Sequence, residues 1–132
     1  MPSDAAPTEI GEQDVRDFGI YEELGVIVFG IGFDNVAAIY SLIFQIDTEE
    51  FQCERSGMCV EHNENGWARY GVVRQFELDH GINRLHVFLD SKDFGVVNLL
   101  IHLPPMMETA ERALLAKMAR RFKEYPRLDD PA

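Results

Sequence analysis

The sequence predicts an α+β domain: a curved, mostly antiparallel sheet of about six strands, with a C-terminal amphipathic helix packed on one face. Two observations carry this. From Val26 to Leu103 apolar residues recur at a period of two, in segments separated by turn-forming residues. Beyond Pro104-Pro105 the apolar period changes to three and four. Strands in mostly hairpin order followed by one helix belong to the α+β class. A chain of 132 residues is the usual length of one domain. The expected division is an acidic, partly flexible arm over 1–24, one domain over 25–126 and a short tail over 127–132.

Residues 1–24 carry seven acids against Arg16 alone, a net of −6, so order is expected only where Phe18, Ile20 and Tyr21 begin to dock. The first strand places Ile27, Phe29, Ile31 and Phe33 on one face, with Gly30 and Gly32 on the other. Asp34-Asn35 supplies a turn. The second strand runs from Val36 to Ile46, with Val36, Ala38, Tyr40, Leu42, Phe44 and Ile46 sharing a face and Ser41 and Gln45 opposite. Together they form a hairpin. After the polar stretch Asp47–Gln52, a third strand covers Gly57–His62 and ends at the turn-rich Asn63-Glu64-Asn65-Gly66. A fourth spans Gly71–Leu78, with Val72, Phe76 and Leu78 inward and Arg74 an exception; Asp79-His80-Gly81 turns the chain. The fifth points Leu85, Val87 and Leu89 inward, and the sixth aligns Val97, Leu99, Ile101 and Leu103. Met107, Ala110, Leu114, Met118 and Phe122 form one stripe, and the helix, from about Met106 to Tyr125, should bury Ala110, Leu114, Met118 and Phe122 against the sheet. Glu108 and Glu111 sit early and Lys117, Arg120, Arg121 and Lys123 late, which complements the helix dipole. Pro126 ends it.

Composition narrows the function. A net charge of −11 disfavours direct binding to nucleic acid or anionic lipid, which recruit basic surfaces. A basic protein partner suits the charge better, since opposite fields speed encounter. No apolar run approaches the ~20 residues that span a bilayer, and the acidic N-terminal segment is the reverse of a signal peptide. Two cysteines make no disulfide scaffold. A cytoplasmic domain is expected, with no membrane contact; the sequence leaves its oligomeric state open.

Motifs for chemistry are weak. Gly30-Ile31-Gly32 begins like a dinucleotide fingerprint, but Asn35 replaces the third glycine and a strand follows where a helix is needed. Small residues there suit close packing of a neighbouring element. Cys53, Cys59 and His62 lack the tight paired spacing of a structural zinc site, and Cys59 and His62 fall on opposite faces of a strand. No nucleophile elbow is present. No metal, cofactor or catalytic residue is assigned, and a non-enzyme is expected. The alternative is a small metal- or thiol-dependent enzyme using Cys53, Cys59 and the histidines.

From Asp47 to Glu64 there are six acids and one base, Arg55, with Phe51, Trp67 and Tyr70 nearby. Aromatics among charges are either core residues at a loop's edge or interface anchors. The candidate interface is therefore Asp47, Glu49, Glu50, Phe51, Glu54, Glu61, Glu64, Trp67 and Tyr70, against the plainer reading of a solvated acidic face.

Residues 36–122 also carry a familiar order of segments: Leu42–Asp47, Gly57–Glu61, Asn63-Glu64-Asn65-Gly66, Tyr70-Gly71-Val72-Val73, Phe76-Glu77-Leu78, Leu85–Asp90, and a closing helix from Ala113 to Phe122. This order resembles the immunity protein 10 family of bacterial polymorphic toxin systems. The Tyr70-Gly71 step after the Gly57–Glu61 strand is its most specific part. Val72 departs from the family's second glycine, and Glu49-Glu50 from its Gln-Asp. The resemblance implies a non-enzymatic antidote: a small cytoplasmic protein that binds a cognate toxin, such as a nuclease, and blocks it. An acidic chain suits the basic cleft of a nuclease. The interface residues above come from local composition and not from the family.

Overall fold

The structure, a computed structural model, describes residues 6–36, 39–48, 57–63, 66, 68–79, 83–105 and 107–124. Among the described residues nine strands precede one helix: β1 Thr8–Ile10, β2 Val15–Glu23, β3 Val26–Val36, β4 Ile39–Asp47, β5 Met58–His62, β6 Ala68–Tyr70, β7 Val73–Asp79, β8 Arg84–Ser91, β9 Gly95–His102 and α1 Thr109–Glu124. A 3-10 turn, Glu12–Asp14, joins β1 to β2. The strands make a four-stranded sheet, β1-β9-β8-β7, and a five-stranded sheet, β2-β3-β4-β5-β6. Only the β1–β9 pairing is parallel; the rest are antiparallel, so the α+β class and the predominantly antiparallel pairing are as expected.

The inner faces of the two sheets share one core. Phe29 and Phe44 of the five-stranded sheet meet Phe76 of the other, with ring centroids 6.2 Å apart for Phe29–Phe44, 6.5 Å for Phe29–Phe76 and 5.0 Å for Phe44–Phe76. Centroid separations of 4.5–7 Å, edge-on or offset, are those aromatic pairs prefer. Strands β8 and β9 alternate as expected, with Leu85, Val87 and Leu89 buried against Val97, Leu99, Ile101 and Leu103. At the far end Arg69 of β6 pairs with Asp93, and His62 of β5 stacks on Phe94 with centroids 4.4 Å apart. Both contacts tie the five-stranded sheet to the β8–β9 turn.

Several expectations are corrected by packing. Residues 8–23, expected as part of an arm, contribute β1 and β2; Ile10 is fully buried, and Phe18 and Ile20 pack on the core. Period-two spacing in Phe18 and Ile20 suffices for an edge strand once β3 lies beside it. The β2–β3 hairpin turns at Leu24-Gly25, both at positive φ, which is the two-residue geometry that matches strand twist.

Asp34-Asn35 is not a turn, because β3 runs through it to Val36. The register of β3 with β4 slips by two residues between Gly32 and Val36, which interrupts the ladder without exchanging the two faces. Ile39 and Ser41 are buried and Tyr40 is exposed, the reverse of a strict alternation through Tyr40. Asn63, at φ 55°, holds this irregular stretch: its Oδ1 accepts from the Tyr40 N–H at 2.6 Å and the Ser41 N–H at 3.3 Å.

Arg74 is an exception on β7 because of the register there. One extra residue sits between Val73 and Gln75 in the pairing with β8, a β-bulge that lets both Val73 and Phe76 reach the core.

Helix α1 starts at Thr109, later than the apolar stripe implies. Met107 is buried from the turn that precedes the helix, its N–H donating to the Pro104 carbonyl. The helix therefore buries Leu115, Met118 and Phe122; Ala110 is exposed and Leu114 half-buried. Its start is held by Glu111, whose carboxylate accepts from the Glu108 N–H at 2.8 Å, one half of a capping box. The helix packs on β7 of one sheet and on β2, β3 and β4 of the other, and Lys117 bonds Glu22 of β2 at 3.0 Å. Among the described residues no helix is long and apolar enough to cross a membrane.

Candidate functional site

In a pleated strand every second side chain faces away from the core, and directly paired residues on neighbouring antiparallel strands share a face. The outer face of the five-stranded sheet follows from this register. One row runs Tyr21, Val28, Gln45, Cys59, Tyr70 across β2 to β6. The next runs Gly19, Gly30, Ile43, Glu61, Ala68. Four strand spacings separate the two tyrosines, roughly 19 Å. Both are exposed, Tyr21 at 53% and Tyr70 at 51%, and the rows between them include Gly19 and Gly30. A β-carbon at Gly19 would meet nothing, and one at Gly30 would only touch Ile43 at 3.8 Å. Gly32 differs: a β-carbon there would displace the Asp17 and Arg16 side chains, so close packing of a neighbouring element, expected for both glycines, applies to Gly32 alone.

Three of the residues singled out from sequence come together on this face. Asp47 ends β4, Glu61 lies on β5 and Tyr70 ends β6. Tyr70 is the direct cross-strand partner of Cys59. Burial pushes the Cys59 thiol up; the neighbouring Tyr70 hydroxyl opposes this, and the negative charges of Asp47 and Glu61 add to it. Charge on Cys59 in turn raises Tyr70, with burial and Asp47 contributing. Cys59 is thus a buried, protonated thiol at neutral pH, a poor nucleophile. Glu61 also accepts from the Gly66 N–H at 3.3 Å, so it braces the turn after β5 as well as facing outward.

Glu49, Glu50, Phe51, Glu54, Glu64 and Trp67 lie outside the described residues, as does Cys53 of the alternative reading. Of the three residues of the N-terminal segment expected to dock, Phe18 and Ile20 pack on the core, whereas Tyr21 is exposed on this outer face.

Among the described residues no three His, Cys, Asp or Glu side chains gather as a metal site. His86 shares a hydrogen bond of 2.8 Å with Asn98 across β8 and β9. Burial lowers His62, which is held in the inter-sheet stack. Comparison with family models, curated proteins and solved structures finds no match.

Proposed function

We propose that this chain is a cytoplasmic immunity protein that binds a cognate bacterial toxin and neutralises it without catalysis. The observation that carries this reading is the outer face of the five-stranded sheet: Tyr70, half exposed, stands beside Asp47 and Glu61 with no core function of its own. Tyrosine at the centre of a contact is a common hot spot, and acids around it select a basic surface. A net charge of −11 and the family resemblance over residues 36–122 support the same reading. A basic, nuclease-like toxin fits this charge. The burial of Cys59 and its raised thiol weigh against a thiol enzyme built on it.

The test is co-expression with the toxin module encoded beside this chain, followed by binding kinetics across a salt series. Reversing Glu49, Glu50 and Glu54 to lysine should slow association at low salt and matter less as screening rises. Tyr70→Ala should instead speed dissociation. A triple reversal that associates at the wild-type rate at low ionic strength would place the interface elsewhere.

A further inference from the structure

A second feature lies at the edge of the four-stranded sheet. Between β7 and α1 runs a groove of about 590 Å³. One wall is the unbroken run Arg74–Leu78 of β7; the other is Ala116, Ala119, Arg120 and Lys123, a single face of the helix. Side chains of a strand alternate between faces, so five consecutive residues line one groove only where it follows the strand's open edge. β7 is an edge strand: it pairs with β8 and with no other strand among the described residues. The groove's apolar lining includes Leu78, Ala119 and Phe122.

The charge of the groove opposes that of the chain. Arg74, Arg120 and Lys123 line it against Glu77. None of these three cations makes an ion pair among the described residues, whereas Arg16, Arg69, Lys117 and Arg121 each hold an acid. The bulge between Val73 and Gln75 is of the kind that re-aims a side chain, here Arg74. The net charge of the chain repels an anion from afar. At physiological ionic strength charges beyond about 8 Å are largely screened, and the local cations decide.

We propose that this groove binds an extended acidic peptide segment of a partner protein, added to β7 as a fifth strand of the four-stranded sheet. Backbone hydrogen bonds to the open edge supply affinity without regard to sequence. Alternate side chains of the peptide supply the selectivity: one set lies on the apolar lining, and the other presents carboxylates to Arg74, Arg120 and Lys123. An exposed edge otherwise invites unselective pairing, and the cations restrict it to acidic strands.

The probe is a fluorescein-labelled, N-acetylated octapeptide alternating glutamate and valine, titrated into the full chain and followed by anisotropy. Its lysine-for-glutamate counterpart is the control. The acidic peptide should bind, and the basic one should not. The double variant Arg120→Glu/Lys123→Glu, at two exposed helix positions, should weaken binding about tenfold, since each lost pair and each new repulsion is a fraction of the 1.4 kcal/mol that a tenfold change represents. Bound peptide should also slow amide exchange within Arg74–Leu78. Equal binding of both peptides, an unchanged double variant, or slowed exchange elsewhere but not on β7 would overturn the proposal. So would markedly tighter binding by the full-chain variant Asp129→Asn/Asp130→Asn, which would assign the groove to the chain's own C-terminal segment.

Discussion

Asn63 tests whether one side chain holds the irregular start of β4. Its Oδ1 accepts from two backbone N–H groups, Tyr40 at 2.6 Å and Ser41 at 3.3 Å, and its own N–H donates to the Ser41 carbonyl at 2.8 Å. It also sits at φ 55°, where asparagine is tolerated and alanine is not. Asn63→Ala removes both side-chain bonds, worth about 1 kcal/mol each and less at the exposed Tyr40 amide. Placing a β-carbon at positive φ without asparagine's local bonding adds about 1 kcal/mol. The expected loss is about 2–3 kcal/mol. Asn63→Gly removes the same bonds but relieves the backbone, so it should lose only about 1–2 kcal/mol. Urea unfolding followed by circular dichroism measures both, and with a slope near 2 kcal/mol per molar the alanine variant should shift its midpoint by roughly 1 M. The ordering is the critical result. If glycine is no better than alanine, the φ argument fails; if both match the wild type, the two hydrogen bonds do not anchor β4.

Two further outcomes are expected. Phe122→Ala should destabilise by about 3 kcal/mol, the low end for a buried phenylalanine, because the site opens on the β7–α1 groove and can relax; a loss under about 1 kcal/mol by thermal or urea unfolding would show that the last turn of α1 does not hold the sheets. Leu24→Asn should raise stability by about 0.5–1 kcal/mol, since Leu24 is 94% exposed at φ 53° in a turn that favours asparagine before Gly25; an unchanged or lower unfolding midpoint would mean the turn is not limiting.

Interactions on the outer face of the five-stranded sheet were only partly legible. Asp47, Glu61 and Tyr70 stand out in sequence because acids and aromatics are dense there. That Tyr70 lies over Cys59, and that Tyr21 continues the same row from the other edge, depends on pairings between strands far apart in the chain. The β7–α1 groove was not legible at all. Its cations come from a bulge in β7 and from one helix face, which only packing brings together.

The sequence by itself determined the class, the strands from β3 onward except the short β6, and the buried faces of β8 and β9, because in a regular strand with one solvated side alternation alone states which residues turn inward. It also determined that a helix closes the chain, with its acidic start and basic end. Tertiary structure decided the rest. Alternation says which face is buried but not against which strand, so the division into two sheets and the parallel docking of β1 on β9 had no local signature. The bulge at Arg74 resets the parity of β7, and a pattern read by counting twos is lost where it falls. Helix rotation followed the same logic: Met107 enters the core before the helix begins, so the face that meets β7 and β2 is set by Leu115, Met118 and Phe122, not by a stripe counted from Met107.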